Sequence, residues 1–396
     1  MLKAANGAEM NKNLALDGVD LEFSLALHEK TGKYYHGRDL IQSNSDLIRR
    51  QLFWRVPLGF VPRDLAARII GRLLVIEVNA RVRSPLLDRL APRQRRRRSV
   101  AHMDPFTTLL HKLSARDIVL CHDVGPLTHP SLFEASVIDA YRLAYREIAR
   151  ARPHMVFVSR ASQRQFHALF DGEFASSRVI YPPLRMELAS GRQTPPPGVA
   201  KPFLLTVGSI GARKNQYRAI EAFARSGLAA HGVQYVLCGA REPGHEAVLE
   251  LAARTPGVLL LGFVSDEELN WLYANSVGFV LPSLLEGFGV PVAEAAAHGL
   301  TPLVSADSVL QEVAGDGALL VDPMDVDQIA AGMQALHAMT PAEASRRRHA
   351  LTASLHRFSH DSFASAWRSA ILEAIGQPRP ASQTGEPAVE DGWFRA

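Results

Sequence analysis

Cysteine is nearly absent. Two residues in 396 are too few for the disulfide framework that staples small secreted folds. Cys121 and Cys238 stand far apart, each inside an apolar, strand-like run, so both are expected to be buried free thiols in a reducing compartment. Long apolar runs are missing as well. No stretch approaches the roughly 20 consecutive apolar residues of a membrane-spanning helix. Met1 to Leu14 holds no apolar segment of signal-peptide type, and the expectation is a cytoplasmic protein. The first turn of neither half carries the phosphate-binding pattern G-x-x-x-x-G-K-[ST] or the dinucleotide fingerprint G-x-G-x-x-G. P-loop hydrolases are thereby excluded, and nicotinamide dehydrogenases are disfavoured.

A strong charge of one sign is also lacking, since 44 Lys and Arg stand against 40 Asp and Glu, a net of +4. The cations nevertheless cluster in Arg93-Gln94-Arg95-Arg96-Arg97-Arg98. Two readings of this run stand side by side. One is a solvated loop whose like charges repel. The other is peripheral attraction to the anionic inner face of a membrane, where each cation contributes about 1 kcal/mol. No aromatic residues interleave with the arginines, so nucleic acid is not an expected partner.

What is present describes a globular α/β protein. Hydrophobic residues make up 47% and charged ones 21%, and the length calls for two domains. Leu21, Phe23, Leu25 and Leu27 alternate with polar or small residues and predict a strand. It leads through Thr31-Gly32-Lys33 into a helix predicted from Arg38 to about Trp54. Further strands are predicted at 73–79, 117–123 and 155–159, with a long helix over about 131–152. Thr194-Pro-Pro-Pro-Gly198 cannot continue a helix or a central strand and reads as a stiff linker. The predicted organisation is an N-terminal domain over 1–190, a linker over 191–201, a C-terminal domain over 202–376 and a disordered tail over 377–396. In the C-terminal domain strands are predicted at 203–207, 234–238, 258–261, 277–281, 302–304 and 318–321. Helices alternate with them and fill most of 326–375, a pattern of parallel sheets.

Two segments carry chemistry. Glu286-Gly-Phe-Gly-Val-Pro-Val-Ala-Glu294 places a glycine-bearing turn between a strand and a helix, so backbone N–H groups and the positive helix end face one spot. Glu286 can accept hydrogen bonds from sugar hydroxyls, and Glu294 from the two hydroxyls of a ribose. Spacing alone also allows a helix-start charge and an exposed mid-helix glutamate. The second segment, Val207-Gly-Ser-Ile-Gly-Ala-Arg-Lys-Asn215, puts Arg213 and Lys214 at a helix start. Cations there oppose the helix dipole, which is unfavourable unless a diphosphate lies between them. Asp325-Val-Asp327 follows Pro323 and precedes a helical pattern, so Asp325 is expected to be an N-cap and not a metal ligand.

Together these segments resemble the nucleotide-sugar-binding domain of family-4 glycosyltransferases. Glu286 to Glu294 matches the family's Glu-x7-Glu element, and His298-Gly-Leu-Thr-Pro-Leu-Val304 its continuation. Lys214-Asn215 matches the variant of mannosyl- and rhamnosyltransferase-like members, and Gly262-Phe-Val-Ser-Asp-Glu-Glu-Leu269 the segment near the base. The N-terminal half resembles the family more weakly, through Val119 to Leu127, Val156 to Ser162 and Thr31-Gly32. Many members carry arginine where this chain has Ser209, and Arg213 is the residue placed to substitute.

The resemblance implies a GT-B fold, two Rossmann-like domains with parallel sheets facing a central cleft. It implies retaining, metal-independent transfer of a hexose, mannose from GDP-mannose by the Lys-Asn variant, to a glycan or lipid-linked oligosaccharide of a surface polysaccharide. The nucleotide-sugar would be a co-substrate, with no cofactor and no metal. His122, Glu286 and Lys214 would be catalytic. Arg213, Lys214, Glu294, Gly262, Phe263, Val264 and the backbone of Phe288, Gly289 and Val290 would hold the donor. Gly32, Asp123 and Ser159 would line the acceptor side. Two rival readings keep the architecture: a sugar-nucleotide epimerase, and a nucleotide-sugar-binding scaffold subunit without turnover.

Overall fold

A computed structural model describes residues 18–27, 32–90, 92–184 and 191–376. Thr31 and the tail after Gly376 lie outside the described residues. Two sheets organise the chain. The first has seven strands: β1 (Val19–Glu22), β2 (Ile48–Phe53), β3 (Val56–Leu58), β4 (Val100–His102), β5 (Ile118–Cys121), β6 (His154–Phe157) and β7 (Ser176–Val179). Their order is β3-β2-β1-β4-β5-β6-β7, parallel except for the β2–β3 hairpin at one edge. The second sheet has six strands: β8 (Phe203–Val207), β9 (Gln234–Cys238), β10 (Val258–Gly262), β11 (Gly278–Leu281), β12 (Pro302–Ser305) and β13 (Leu319–Val321). Its order is β10-β9-β8-β11-β12-β13, with every pairing parallel. Runs such as Ile118-Val-Leu-Cys121 are buried at every position, as parallel strands covered by helices on both faces must be. Cys121 and Cys238 are buried free thiols.

The second half follows its predicted strand and helix order closely. The first half departs from prediction at three places. The helix expected from Arg38 to Trp54 is instead the helix Gly32–Ser43 followed by β2. Ser43 turns its hydroxyl onto the Asp39 carbonyl, and the Asn44 amide reaches the Ala364 carbonyl. Such side-chain bonds to backbone compete with helix continuation. The strand expected at 73–79 lies inside the 20-residue helix Asp64–Arg83. Leu74, Val78 and Arg81 are buried there at helical spacing, which decides against strand despite the β-branched residues. The first strand is shorter than its alternation suggested, because Ser24–Leu27 forms a 3-10 turn. β4 and β7 went unforeseen; Val-Ala-His and Ser-Ser-Arg-Val carry too little apolar pattern to show as strands.

The arginine run is not a free loop. Arg93 pairs with Asp88 at 2.6 Å, and Arg96 donates to the Arg55 carbonyl at 3.1 Å. Arg98 lies close enough to favour ionisation of the Asp20 carboxyl. Arg95 and Arg97 alone of the run are exposed. Peripheral attraction through Arg93–Arg98 therefore retains only two free cations, because packing turns the others inward. No helix among the described residues is long and apolar enough to cross a membrane.

The final helix, His360–Ala374, returns to the first half of the chain. Trp367 is fully buried, and its indole N–H donates to His36 Nε2 at 3.1 Å. Arg368 pairs with Asp46 at 2.9 Å, and Arg178 pairs with Glu373. Asp325 caps the helix Val326–His337, accepting from the N–H groups of Asp327 and Gln328.

Glu22, at the end of β1, is wholly buried, and burial pushes its carboxyl up to about 8 against the opposing bonds from Ser24. The folded state therefore holds a proton that the unfolded chain has released. Stability should fall as pH rises from about 5 to about 8, by up to about 1.4 kcal/mol per pH unit. Glu22→Gln is expected to flatten this dependence in urea unfolding curves. An unchanged slope would mean that Glu22 is ionised in the fold.

Candidate active site

The site begins where the second sheet turns over. Gly208 and Gly239, just beyond β8 and β9, both have positive φ, 148° and 151°. A Cβ on Gly239 would fall 2.0 Å from the Gly208 carbonyl oxygen, so only glycine lets these two turns meet. The chain then makes a 3-10 turn, Ala212–Lys214, and a left-handed Asn215 before the helix Gln216–Ser226. Asn215 explains why asparagine follows the lysine. Its amide donates to the carbonyls of Pro282 at 2.9 Å and Pro323 at 2.7 Å, pinning the basic turn to the far end of β11.

Lys214 and Arg213 converge on Glu286. Lys214 Nζ pairs with Glu286 Oε1, and Arg213 Nη1 lies 3.3 Å from Oε2. Ser283 donates to Oε1 at 2.9 Å, and Arg213 also reaches Glu242 at 3.0 Å. The side chains of Lys214 and Glu286 are each only 7% exposed. Burial opposes the charge on both. For Glu286 the two cations and the hydrogen bonds prevail, holding its carboxyl below the usual range. For Lys214 burial prevails over the attraction of Glu286, and its ammonium is held below the usual range.

Beyond Glu286, Gly289 has φ +90°, and a Cβ there would strike Leu310 at 2.3 Å. It opens the helix Val290–Ala297, with Pro291 in the first turn. The Phe288 side chain is buried against Tyr181 and Phe358, which leaves its backbone for a ligand. Glu294 is buried, and the Tyr273 hydroxyl donates to it at 3.0 Å, so the exposed mid-helix reading is wrong. Gly262, at the end of β10, accepts from Gly239 N–H at 2.7 Å. Phe263 beside it is 88% exposed, and Val264 is half-buried. A cavity of about 410 Å³ lies here, lined by Ile210, Gly239, Arg241, Leu260, Leu261 and Gly262 among others.

The first half supplies the opposite wall. His122 and Asp123 follow β5, and the wall abuts the Glu286 loop. Ser162 Oγ donates to the His122 carbonyl at 2.8 Å and reaches the Gly287 carbonyl at 3.3 Å. A Cβ on Gly287 would lie 2.6 Å from the His122 carbonyl oxygen. Burial, then the charge of Lys33, pushes the His122 imidazole down to about 3, so the ring is neutral. Its Nε2 lies 3.1 Å from the Met103 carbonyl, which can only accept. Nε2 therefore carries the proton, and Nδ1 is left as an acceptor. A cavity of about 160 Å³ is lined by Lys33, His122, Asp123 and Tyr141 among others, and Gly32 starts the helix that carries Lys33.

Ser159 is a correction. It is fully buried, and its hydroxyl caps the helix Arg160–Leu169 by accepting from Ser162 N–H, so it does not line a cleft. Five side chains escaped sequence reasoning. Glu242 grips Arg213 and Ser209. Lys33 and Tyr141 meet at Asp104. Glu312 accepts from the N–H groups of Arg160 and Ala161, both at 2.8 Å, and from the Tyr181 hydroxyl at 2.9 Å, joining the two halves. Glu242 had a signal, its place just past a strand's C-terminal end; Glu312 had none.

Residues 192–351 match the family model described as Glycosyl transferases group 1. That stretch lies almost wholly within the second half of the chain, which is similar to the family there. Its curated relatives are mannosyltransferases by name. The O-antigen chain mannosyltransferase B of Escherichia coli is 28% identical over 57% of this chain and 62% of its own length. The O-antigen chain mannosyltransferase RfbU of Salmonella typhimurium is 26% identical over 52% of this chain and 57% of its own. The chain thus spans about three-fifths of the length of these relatives. Among solved structures, Anabaena Alr3699/HepE in complex with UDP and glucose superposes with a TM-score of 0.63 at 17% identity, covering 89% of this chain and 98% of that one. A trehalose-6-phosphate protein of E. coli bound with UDP-2-fluoro glucose gives 0.57 at 14%, covering 84% and 85%. The fold is GT-B, and the stretch similar to the group 1 transferases carries the basic turn and the Glu286 loop.

Removing one partner of a buried pair leaves the other charge uncompensated. Glu286→Gln should lower stability by about 1–3 kcal/mol. Inorganic pyrophosphate should then raise the melting temperature of the variant more than that of the wild type. Equal shifts would separate Lys214 and Arg213 from anion binding.

Proposed function

We propose that this chain is a retaining glycosyltransferase that moves a hexose, mannose from GDP-mannose, to a glycan or lipid-linked oligosaccharide in surface-polysaccharide synthesis. The observation that carries the reading is the convergence of Lys214 and Arg213 on Glu286, directly opposite the His122 strand end. A nucleoside diphosphate leaving group develops negative charge, and preorganised cations in a shielded site stabilise that charge without reorganising. Lys214 and Arg213 are those cations, with Arg213 taking the place of the arginine absent at Ser209. The N–H groups of Phe288, Gly289 and Val290 add the positive end of a helix.

Glu286 then exchanges partners. Its contacts with Lys214 and Arg213 keep the site neutral when empty. With the donor diphosphate on the cations, the carboxylate is released to accept hydroxyls of the sugar. Glu294, oriented by Tyr273, accepts the ribose hydroxyls. The cavity beside Gly239 and Gly262 takes the base, with Phe263 and Val264 at its rim. On the acceptor side, Gly32 and Asp123 flank the smaller cavity, and His122 offers Nδ1 as an acceptor. Its neutral state keeps a competing cation away from the diphosphate clamp. Attack comes from the face of the leaving group, and a donor phosphate oxygen takes the acceptor's proton. The reading needs no metal, because two side-chain cations stand where the diphosphate lies. It places the chain in the cytoplasm, meeting its lipid-linked acceptor at the membrane.

Thermal unfolding with nucleotides tests the donor. GDP or GDP-mannose at a hundredfold excess over Kd should stabilise by about 2.7 kcal/mol, and chelation of metals should leave that shift intact. UDP compounds acting instead would overturn the donor. Lys214→Met is expected to cut kcat/KM for transfer by roughly 100-fold or more. Binding without transfer to any lipid-linked acceptor would favour the scaffold reading, and isomerisation of the donor without acceptor the epimerase.

A further inference from the structure

An exposed apolar surface lies away from both cavities. It lies on the helix Asp64–Arg83 and the short helix Pro85–Leu90 that follows it. The long helix is apolar on two opposite faces. One face, with Leu74 and Val78, packs inward against the core that includes Leu109, Leu110 and Ala144. The other points away from the protein. Leu65, Ile69, Leu73 and Ile76 recur there at spacings of four, four and three, one stripe along the helix, and Leu65 and Ile76 are 70% and 63% exposed. The short helix continues the surface with Leu86, Leu87 and Leu90, and Phe60 stands exposed just before it. Single exposed apolar residues need no explanation, but a contiguous stripe does.

The charges beside the stripe are nearly all of one sign, the exception being Asp64, which starts the helix. Arg63, Arg68, Arg72 and Arg83 are exposed on the same helix and its cap. Between Leu65 and Leu90 the only carboxylates are Glu77 and Asp88. Neither neutralises the stripe: Glu77 pairs with Arg55 and Arg81, and Asp88 with Arg81 and Arg93. A second copy of this chain meeting the stripe face to face would set four arginines against four, far outnumbering Asp64. A convex apolar stripe edged by cations matches the boundary between lipid headgroups and acyl chains, where an amphipathic helix lies in the plane of the surface.

We propose that the helices Asp64–Arg83 and Pro85–Leu90 dock the protein onto an anionic lipid bilayer, Leu65, Ile69, Leu73 and Ile76 entering the acyl boundary and Arg68, Arg72 and Arg83 meeting the headgroups. The contact is made by this helix face and not by the Arg93–Arg98 run, most of which is folded inward. It deepens the reading of a lipid-linked acceptor but does not depend on sugar transfer.

Co-sedimentation with vesicles tests it, using the full chain without nucleotide. Vesicles of phosphatidylcholine mixed with phosphatidylglycerol should carry the protein down. Phosphatidylcholine alone should do so weakly, and added salt should release it. Ile69→Ser/Ile76→Ser should reduce binding by roughly tenfold or more, and Arg68→Gln/Arg72→Gln by roughly tenfold. Arg95→Gln/Arg97→Gln should leave it near wild type. All six positions are exposed, so melting temperatures and nucleotide protection should be unchanged, which separates this test from that of the transfer reaction. Undiminished vesicle binding by the Ile69→Ser/Ile76→Ser variant would overturn the proposal. So would a wild-type dimer in solution that the same variant abolishes, since the stripe would then be covered by a second copy.

Discussion

A buried cluster of opposite charges, Glu286 between Lys214 and Arg213, is the constraint around which the second half of the molecule is arranged. Ions that deep are tolerated only when paired and hydrogen-bonded. Meeting that condition requires Ser283 on one side, Glu242 on the other, and Asn215 holding the basic turn against β11. It also requires backbone to approach backbone where Gly208 faces Gly239, and room for the Leu310 side chain where it meets Gly289. Each ion in the cluster is thus answered by an opposite charge or a hydrogen bond.

The second half was legible because each strand there is a short apolar run bounded by glycine or an acidic helix start, and because its chemistry lies in contiguous segments. Glu286, Glu294 and Lys214 could be singled out for that reason. The first half was harder to read. Its β2 is half polar, Ile-Arg-Arg-Gln-Leu-Phe, and reads as a helix surface until Leu52 and Phe53 are seen to be buried beside β1. The helix Asp64–Arg83 misled in the opposite direction, since apolar residues on both faces erase the periodicity that marks a helix.

Two of the residues that escaped notice share a cause. Glu312 and Tyr141 act on partners far away in sequence, and pairing across such distances leaves no local pattern. Ser159 shows the converse error, because a serine at a strand end has two common uses. Here it caps a helix, and the cap is needed because that helix start also receives the Glu312 carboxylate from the other half.

The halves are joined by polar contacts at separate places. The Leu184 N–H donates to the Phe358 carbonyl at 2.9 Å, which ties the end of the first half to the turn leading into the helix His360–Ala374. Glu312 makes the other join, through the N–H groups of Arg160 and Ala161. A seam fastened by hydrogen bonds can be undone one bond at a time, each worth only about 0.5–1.5 kcal/mol.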